Sequence, residues 1–206
     1  MFDLRVTRGL HSGSVFAFAF ACATLTSGRV AAVAEPAPVP VLAAADCRAV
    51  DATEAARVLG YPVGSPDAES ARSGICFFST RAVSQEGSVA YAIVGPERLP
   101  QRRGFFNAAA RRCAGIAKGA PNEAVCRTYA RIAQATDLDA YFKARTDYAD
   151  ATPVLFLGDR AVAAPDALYV LRGATIFECV VRRNGAVDSE RSEELARLVL
   201  ERTPQP

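Results

Sequence analysis

Alternating large and small side chains mark the strands of this chain. In the segment 88–94, Val89, Tyr91 and Ile93 alternate with alanines, and this period of two predicts a β-strand. Later in the chain, residues 172–174 form a short link between two apolar segments, which predicts an antiparallel hairpin. The predicted strands are 75–80, 88–94, 154–157, 167–171 and 175–182.

Apolar residues three and four positions apart predict helices in three parts of the chain. The first is predicted to start at an Asp51 cap, with Glu54 completing a capping box, and to end at Gly60. A helical region is predicted over 99–148, interrupted once by a glycine and a proline. The last helix, 189–202, carries its leucines and valine on one face and is therefore predicted to be amphipathic.

The order of these elements is helix, strands, helices, strands, helix. Runs of strands separated from runs of helices predict an α+β fold. We expect an antiparallel sheet with helices packed on one face, a helical insertion in the middle and a C-terminal amphipathic helix.

The N-terminal segment has the pattern of an export signal. Two arginines precede an apolar run over 15–25, which is too short to span a bilayer because that needs about 20 residues. An A-x-A cleavage pattern ends at Ala34, so we predict a signal peptide over 1–34. A retained amphipathic anchor is the alternative. Lipid attachment at Cys22 is not expected, because alanine stands where bacterial lipoprotein signals usually carry leucine.

Two further segments complete the predicted organisation. A proline- and alanine-rich linker covers 35–45, and a single disulfide-stabilised α+β domain covers 46–206. Signal cleavage removes three arginines and one aspartate, which brings the formal charge of +2 to zero. A neutral domain is not typical of a nucleic-acid binder. No transmembrane segment is predicted after cleavage, and we expect a periplasmic, cell-surface or secreted protein.

Five cysteines remain after the predicted cleavage. An oxidising compartment favours disulfides, and an odd number leaves one thiol over. We expect Cys47 to pair with Cys76 and Cys113 with Cys126, although the sequence does not prove the connectivity. Cys179 is then the candidate free thiol, either buried and inert or reactive through a lowered pKa.

Several kinds of chemistry are absent from the predicted mature chain. The single histidine, His11, lies in the signal peptide, so a Ser-His-Asp triad, a Cys-His pair and a histidine-liganded zinc site are excluded. There is no C-x-x-C, P-loop or G-x-G-x-x-G motif. We therefore predict no metal site, no cofactor and no assigned catalytic residue. Pairs of aspartates remain as candidates for acid–base work, although Asp137 is predicted to cap a helix and Asp159 to form a turn.

A cluster of basic residues around two phenylalanines is the most specific suggestion of binding. It could contact an anionic lipid or a polyanionic envelope polymer; a solvated helix face with both phenylalanines packed inward is the alternative, which we favour. The cluster consists of Arg98, Arg102, Arg103, Arg111, Arg112 and Lys118.

Several short motifs resemble those of a group of small exported bacterial domains of unknown function. Many of that group are predicted lipoproteins of actinobacteria. The motifs are "DCRAVDATEAARVLG", a second cysteine at the head of a strand, "FLGDRA", "LYVLRGATIFECVV" and "SEELARLVLERT". The resemblance implies a disulfide between Cys47 and Cys76, a turn at Gly158-Asp159 and a helix that ends the domain. It supplies no catalytic residues.

Three functions remain open on the sequence. The first is an exported, non-catalytic binding or envelope-associated domain of unassigned specificity. The second is an inhibitor or immunity-type protein that binds a protein partner. The third is an enzyme that uses carboxylates or the Cys179 thiol.

Overall fold

The computed structural model describes residues 47–80, 86–113, 115–116, 119–120 and 123–204. The predicted signal peptide and linker, the Cys22 position and Lys118 lie outside these ranges. Within them the chain forms six α-helices and seven β-strands: α1 (Ala52–Leu59), α2 (Ala68–Arg72), β1 (Cys76–Ser79), β2 (Gly87–Val94), α3 (Leu99–Arg112), α4 (Glu123–Ala133), α5 (Leu138–Thr146), β3 (Thr152–Pro153), β4 (Arg160–Ala163), β5 (Leu168–Arg172), β6 (Thr175–Arg183), β7 (Ala186–Val187) and α6 (Ser189–Arg202).

The strands form one antiparallel sheet, which confirms the predicted α+β class. Their order is β1-β2-β6-β5-β4-β3, and β7 pairs with the end of β6. The long strands β2 and β6 are paired from Gly87 with Arg183 to Val94 with Ile176, so they form the centre of the sheet. Strands β5 and β6 form the predicted hairpin.

Helices cover both faces of the sheet, so the prediction that they pack on one face is wrong. One hydrophobic cluster joins α1 and α6 to the sheet face that carries Phe177 and Cys179 of β6. A second cluster joins α3, α4 and α5 to the opposite face, which carries Ile176 and Val180. A strand with apolar residues on both faces needs a covering layer on each, and β6 has this composition.

The predicted helix ends agree with the structure where they depend on capping residues. Asp51 and Glu54 form the predicted capping box, and Gly60 ends α1 in the left-handed conformation. Asp137 caps α5 by accepting from the amide of Ala140. Helix α6 has the predicted bounds and buries one apolar face.

The strand predicted over 154–157 is wrong, because this segment forms a turn between β3 and β4. Leu155 and Phe156 are exposed at its tip, and Phe156 has a φ of 61°. Gly158 follows with a φ of 66°, and a Cβ built there would meet the carbonyl oxygen of Leu171 at 2.6 Å. The chain must therefore turn at this glycine, and the apolar run cannot continue as a strand.

Both predicted disulfides are present. Cys47–Cys76 ties the start of the described domain to β1, and Cys113–Cys126 ties the end of α3 to α4. Cys179 is a free cysteine and is buried, which corresponds to the first of the two alternatives for this thiol. Within the described ranges, no helix combines the length and the apolarity that crossing a membrane requires.

Candidate functional site

A cleft opens between the central strands of the sheet and helix α3. Its volume is about 370 Å³, which lies within the range of small-molecule sites. Ala90 and Ala92 of β2 and Val180 of β6 line the sheet side, and Phe105 and Phe106 of α3 line the helix side.

The alternation along β2 explains why there is space here. The side chains of Val89 and Tyr91 are buried in the cluster on the opposite face, whereas Ala90 and Ala92 are on the cleft face. A helix covering two alanines in neighbouring positions of one face leaves a hollow that larger side chains would fill. The cleft therefore follows from small residues at alternate positions of a central strand.

A buried carboxylate closes the bottom of the cleft. Glu178 of β6 lies opposite Ala92 on the paired strand and is 7% exposed. Its carboxylate forms an ion pair with Arg102 of α3, accepts a 2.6 Å hydrogen bond from the Tyr141 hydroxyl and lies 3.5 Å from Nε of Arg145. A buried charge needs such partners, because desolvation is costly.

Arg145 connects this carboxylate to a second one. Its guanidinium lies between two aromatic rings, 5.0 Å from the centroid of Phe106 and 4.7 Å from that of Tyr169. It also forms an ion pair with Asp166 at 3.3 Å, and the Tyr169 hydroxyl donates to the same carboxylate oxygen at 2.8 Å. Helices α3 and α5 are thereby attached to the sheet by charged groups inside the protein.

The electrostatics of the cluster keep Glu178 ionised. Burial alone would raise the pKa of Glu178, but the positive charges of Arg102 and Arg145 and the hydrogen bond from Tyr141 outweigh it and lower that pKa below its usual value. Burial and the negative charge of Glu178 raise the pKa of Tyr141 above its usual value. General acid–base catalysis needs a group whose pKa is near the working pH. The pKa of Glu178 moves further below neutral pH and the pKa of Tyr141 moves further above it, so neither group is suited to this role.

The cluster also contains polar atoms that form no hydrogen bond. Nε of Arg102 and Oδ1 of Asp166 are buried and have no hydrogen-bond partner among the described residues, and Nε of Arg145 has only its 3.5 Å ion-pair contact with Glu178. A buried polar atom without a hydrogen bond is costly, at about 1–3 kcal/mol.

Arg182 lies at the exposed end of the same face of β6. It lines the cleft, lies opposite Ser88 in the register, and donates a 3.4 Å hydrogen bond to the backbone carbonyl of Asp166. Within the described ranges it forms no ion pair, in contrast to Arg102 and Arg145.

The predicted basic cluster does not form one surface. Arg102 points into the protein and is 6% exposed, and Arg103 donates to the carbonyl of Ala133. Arg98 forms an ion pair with Glu97 at 3.5 Å. The exposed Arg111 and Arg112 lie at the end of α3, about 14 Å from Arg102 at 1.5 Å per residue.

Of the two phenylalanines in this region, only Phe106 packs inward as we favoured. Phe106 is 4% exposed and belongs to the cluster between α3 and the sheet. Phe105 is 54% exposed at the edge of the cleft, with its ring 5.3 Å from that of Phe106. An exposed aromatic ring beside an apolar hollow is a surface that a ligand can cover.

One disulfide joins two helices that line the cleft, whereas the free cysteine faces away from it. The Cys113–Cys126 disulfide joins α3 and α4, and both helices contribute side chains to the cleft. Cys179 points to the opposite face of the sheet, where burial raises the pKa of its thiol. A buried thiol with a raised pKa is inert.

Two other kinds of site find less support among the described residues. A wider depression of about 680 Å³ lies between α4 and the segment 147–149, but its ion pair, Arg131–Asp147, is exposed. Among the described residues, no group of three or more histidines, cysteines or acidic residues is placed to hold a metal ion.

No family model, curated protein or solved structure matches this chain.

Proposed function

We propose that this chain is an exported binding domain that holds a small molecule with an apolar body in the cleft between the sheet and α3. The domain contributes no catalytic group to the bound molecule. The observation that carries the proposal is a hollow of about 370 Å³ with apolar walls and a charged, buried floor.

The arrangement of the walls supports binding. Sites for small molecules are mostly apolar and contain a few polar groups that fix orientation. The cleft has this composition, since alanine, valine and phenylalanine side chains surround it and the polar groups are concentrated around Glu178. The ion pairs of Glu178 with Arg102 and Arg145 fix α3 and α5 against the sheet, so the cleft is preorganised.

The chemistry of the floor supports a non-catalytic function. A carboxylate whose pKa is lowered is a weak base at neutral pH, and Glu178 is already surrounded by its partners. The free thiol of Cys179 faces away from the cleft.

Two further features support export. The two disulfides are typical of an oxidising compartment, and the signal pattern over 1–34 would direct the chain there. N-terminal sequencing of the protein recovered outside the cytoplasm should begin at Glu35; recovery of the intact N-terminus would contradict the cleavage.

Binding in the cleft can be tested with prodan, a neutral naphthalene dye whose emission shifts to the blue in an apolar environment. We expect saturable binding by the disulfide-bonded protein, because the cleft is an apolar hollow with a preorganised wall. Ala90→Leu adds a larger side chain on the cleft face and should weaken binding about tenfold, the effect of about 1.4 kcal/mol.

The matched control is Ala124→Leu, which adds the same side chain at an exposed position of α4 outside the cleft. It should bind prodan like the unmodified chain. Absence of saturable binding, or equal binding by the Ala90→Leu variant in its folded state, would contradict the proposed function.

A further inference from the structure

The cationic groups around the cleft differ in how they are neutralised. Arg102 and Arg145 are both within ion-pair distance of Glu178, and Arg145 also reaches Asp166. Arg182 has no ion pair among the described residues, and its hydrogen bond goes to a backbone carbonyl. Three arginines and two carboxylates line the cleft, and the uncompensated positive charge is therefore that of Arg182.

The position of Arg182 places this charge at the edge of an apolar surface. Side chains two residues apart on a strand share a face and are separated by about 7 Å. Val180 and Arg182 stand in this relation on β6, and Ala90 lies opposite Val180 on β2. A molecule lying along Val180 and Ala90 can therefore bring one end to the guanidinium of Arg182.

We infer that the ligand of this cleft is an amphipathic monocarboxylate, with its carboxylate against Arg182 and its apolar body along Ala90, Val180 and Phe105. This assignment rests on the proposed function and adds the chemical class of the ligand. The guanidinium presents parallel N–H groups that match the two oxygens of a carboxylate.

The charge balance favours a carboxylate over a phosphate monoester. A phosphate monoester carries about −1.5 to −2 charges at neutral pH and would need a second cation. Arg102 and Arg145 are already paired, and the negative charges of Glu178 and Asp166 lie in the same cleft. A single negative charge is balanced by Arg182 alone.

The cleft has room for a medium-chain acid. Its volume of about 370 Å³ lies at the lower end of the range of small-molecule sites. Decanoate is a small molecule of this class, and its alcohol and amine carry the same ten-carbon chain with a neutral and a positive head group.

The test is isothermal titration calorimetry of the disulfide-bonded chain with decanoate, 1-decanol and decylamine, with the two ions below their micelle concentrations and the alcohol below its solubility limit. We expect decanoate to bind about tenfold more tightly than decanol, and decylamine to bind more weakly than either. Arg182→Gln should reduce decanoate binding to the level of decanol, whereas Arg182→Lys should retain part of the difference. Arg111→Gln removes an exposed arginine elsewhere on α3 and should leave all three affinities unchanged.

The outcomes separate this inference from the proposed function. Equal binding of decanoate and decanol, or full decanoate affinity in the Arg182→Gln variant, would overturn the carboxylate assignment and leave the cleft as a binding site. If none of the three compounds binds and prodan does not bind either, the proposed function itself fails. If prodan binds in the cleft and none of the three compounds does, the carboxylate assignment alone is overturned.

Discussion

Replacing Glu178 by glutamine should destabilise the protein more than any exposed ion-pair substitution. The carboxylate is buried and serves Arg102, Arg145 and the Tyr141 hydroxyl at once. Glutamine has nearly the same shape but no charge, so two buried guanidinium groups lose their shared counter-ion. Arg145 keeps Asp166, whereas Arg102 has no other ion pair among the described residues. Removing one partner of a buried pair costs about 3–5 kcal/mol, and we expect Glu178→Gln to lie in this range.

The assay is urea unfolding of the oxidised protein with linear extrapolation to water. Glu194→Gln is the matched control, because Glu194 pairs with Arg57 at the surface, where the two side chains are 41% and 61% exposed; it should cost less than about 1 kcal/mol. The double variant Arg102→Met/Glu178→Gln should be less destabilised than the sum of the single changes, since residues in one network are non-additive. A loss below 1 kcal/mol for Glu178→Gln would refute the view that this cluster holds α3 against the sheet.

Three further predictions concern the same fold. The pKa of Glu178 is lowered in the folded protein, so its contribution to stability is complete above its usual pKa of 4.5 and is lost as the pH falls through the folded value. The urea midpoints of the unmodified chain and of Glu178→Gln should therefore differ by a constant amount from about pH 7 to about pH 5 and converge below that. A difference in midpoint that widens in acid would contradict the direction of the pKa shift. Gly158→Ala should lower the free energy of unfolding by at least about 1 kcal/mol more than Gly185→Ala, because both glycines have positive φ but only the Cβ at Gly158 would meet neighbouring atoms at 2.6 Å; equal losses in urea unfolding would contradict this. Cys179 should resist iodoacetamide in the native protein and react after unfolding, because it is buried with a raised pKa; intact mass measures the modification, and rapid labelling of the native thiol would return it to the list of reactive groups.

Local rules predicted much of the fold from the sequence. The capping box at Asp51 and Glu54 and the ends of the C-terminal helix depend on neighbouring residues, and both agree with the structure. The two expected disulfide pairs are also present in the structure.

Predictions that depend on long-range packing were less accurate. Whether helices cover one face of a sheet or two is determined by the central strand, and the apolar character of both faces of β6 is the sequence signal for two covering layers. The apolar run at Leu155 and Phe156 predicts a strand but forms an exposed turn, because hydrophobicity alone does not distinguish the two.

Two features of the sequence point to the cleft. A glutamate inside the apolar segment "TIFECVV" requires buried cations, and Glu178 has Arg102 and Arg145 as partners. The alanines of β2 alternate with large residues, but a hollow depends on what lies opposite them, and Phe105 of α3 is 15 residues distant in the chain from Ala90. Arg102 could not be separated from its exposed neighbours, because the rotation of α3 against the sheet is set by the Glu178 contact.

The most direct test of the account is a titration of the ¹⁵N-labelled protein with decanoate, followed by amide chemical shifts. Binding in the cleft predicts that the saturating shifts concentrate on β2, β6 and α3, with the largest changes around Ala90, Val180 and Arg182, and that α1 and the exposed turn at Phe156 are unaffected. Shifts centred on that turn, on α1 or on the depression beside α4 would place the ligand elsewhere and contradict the account.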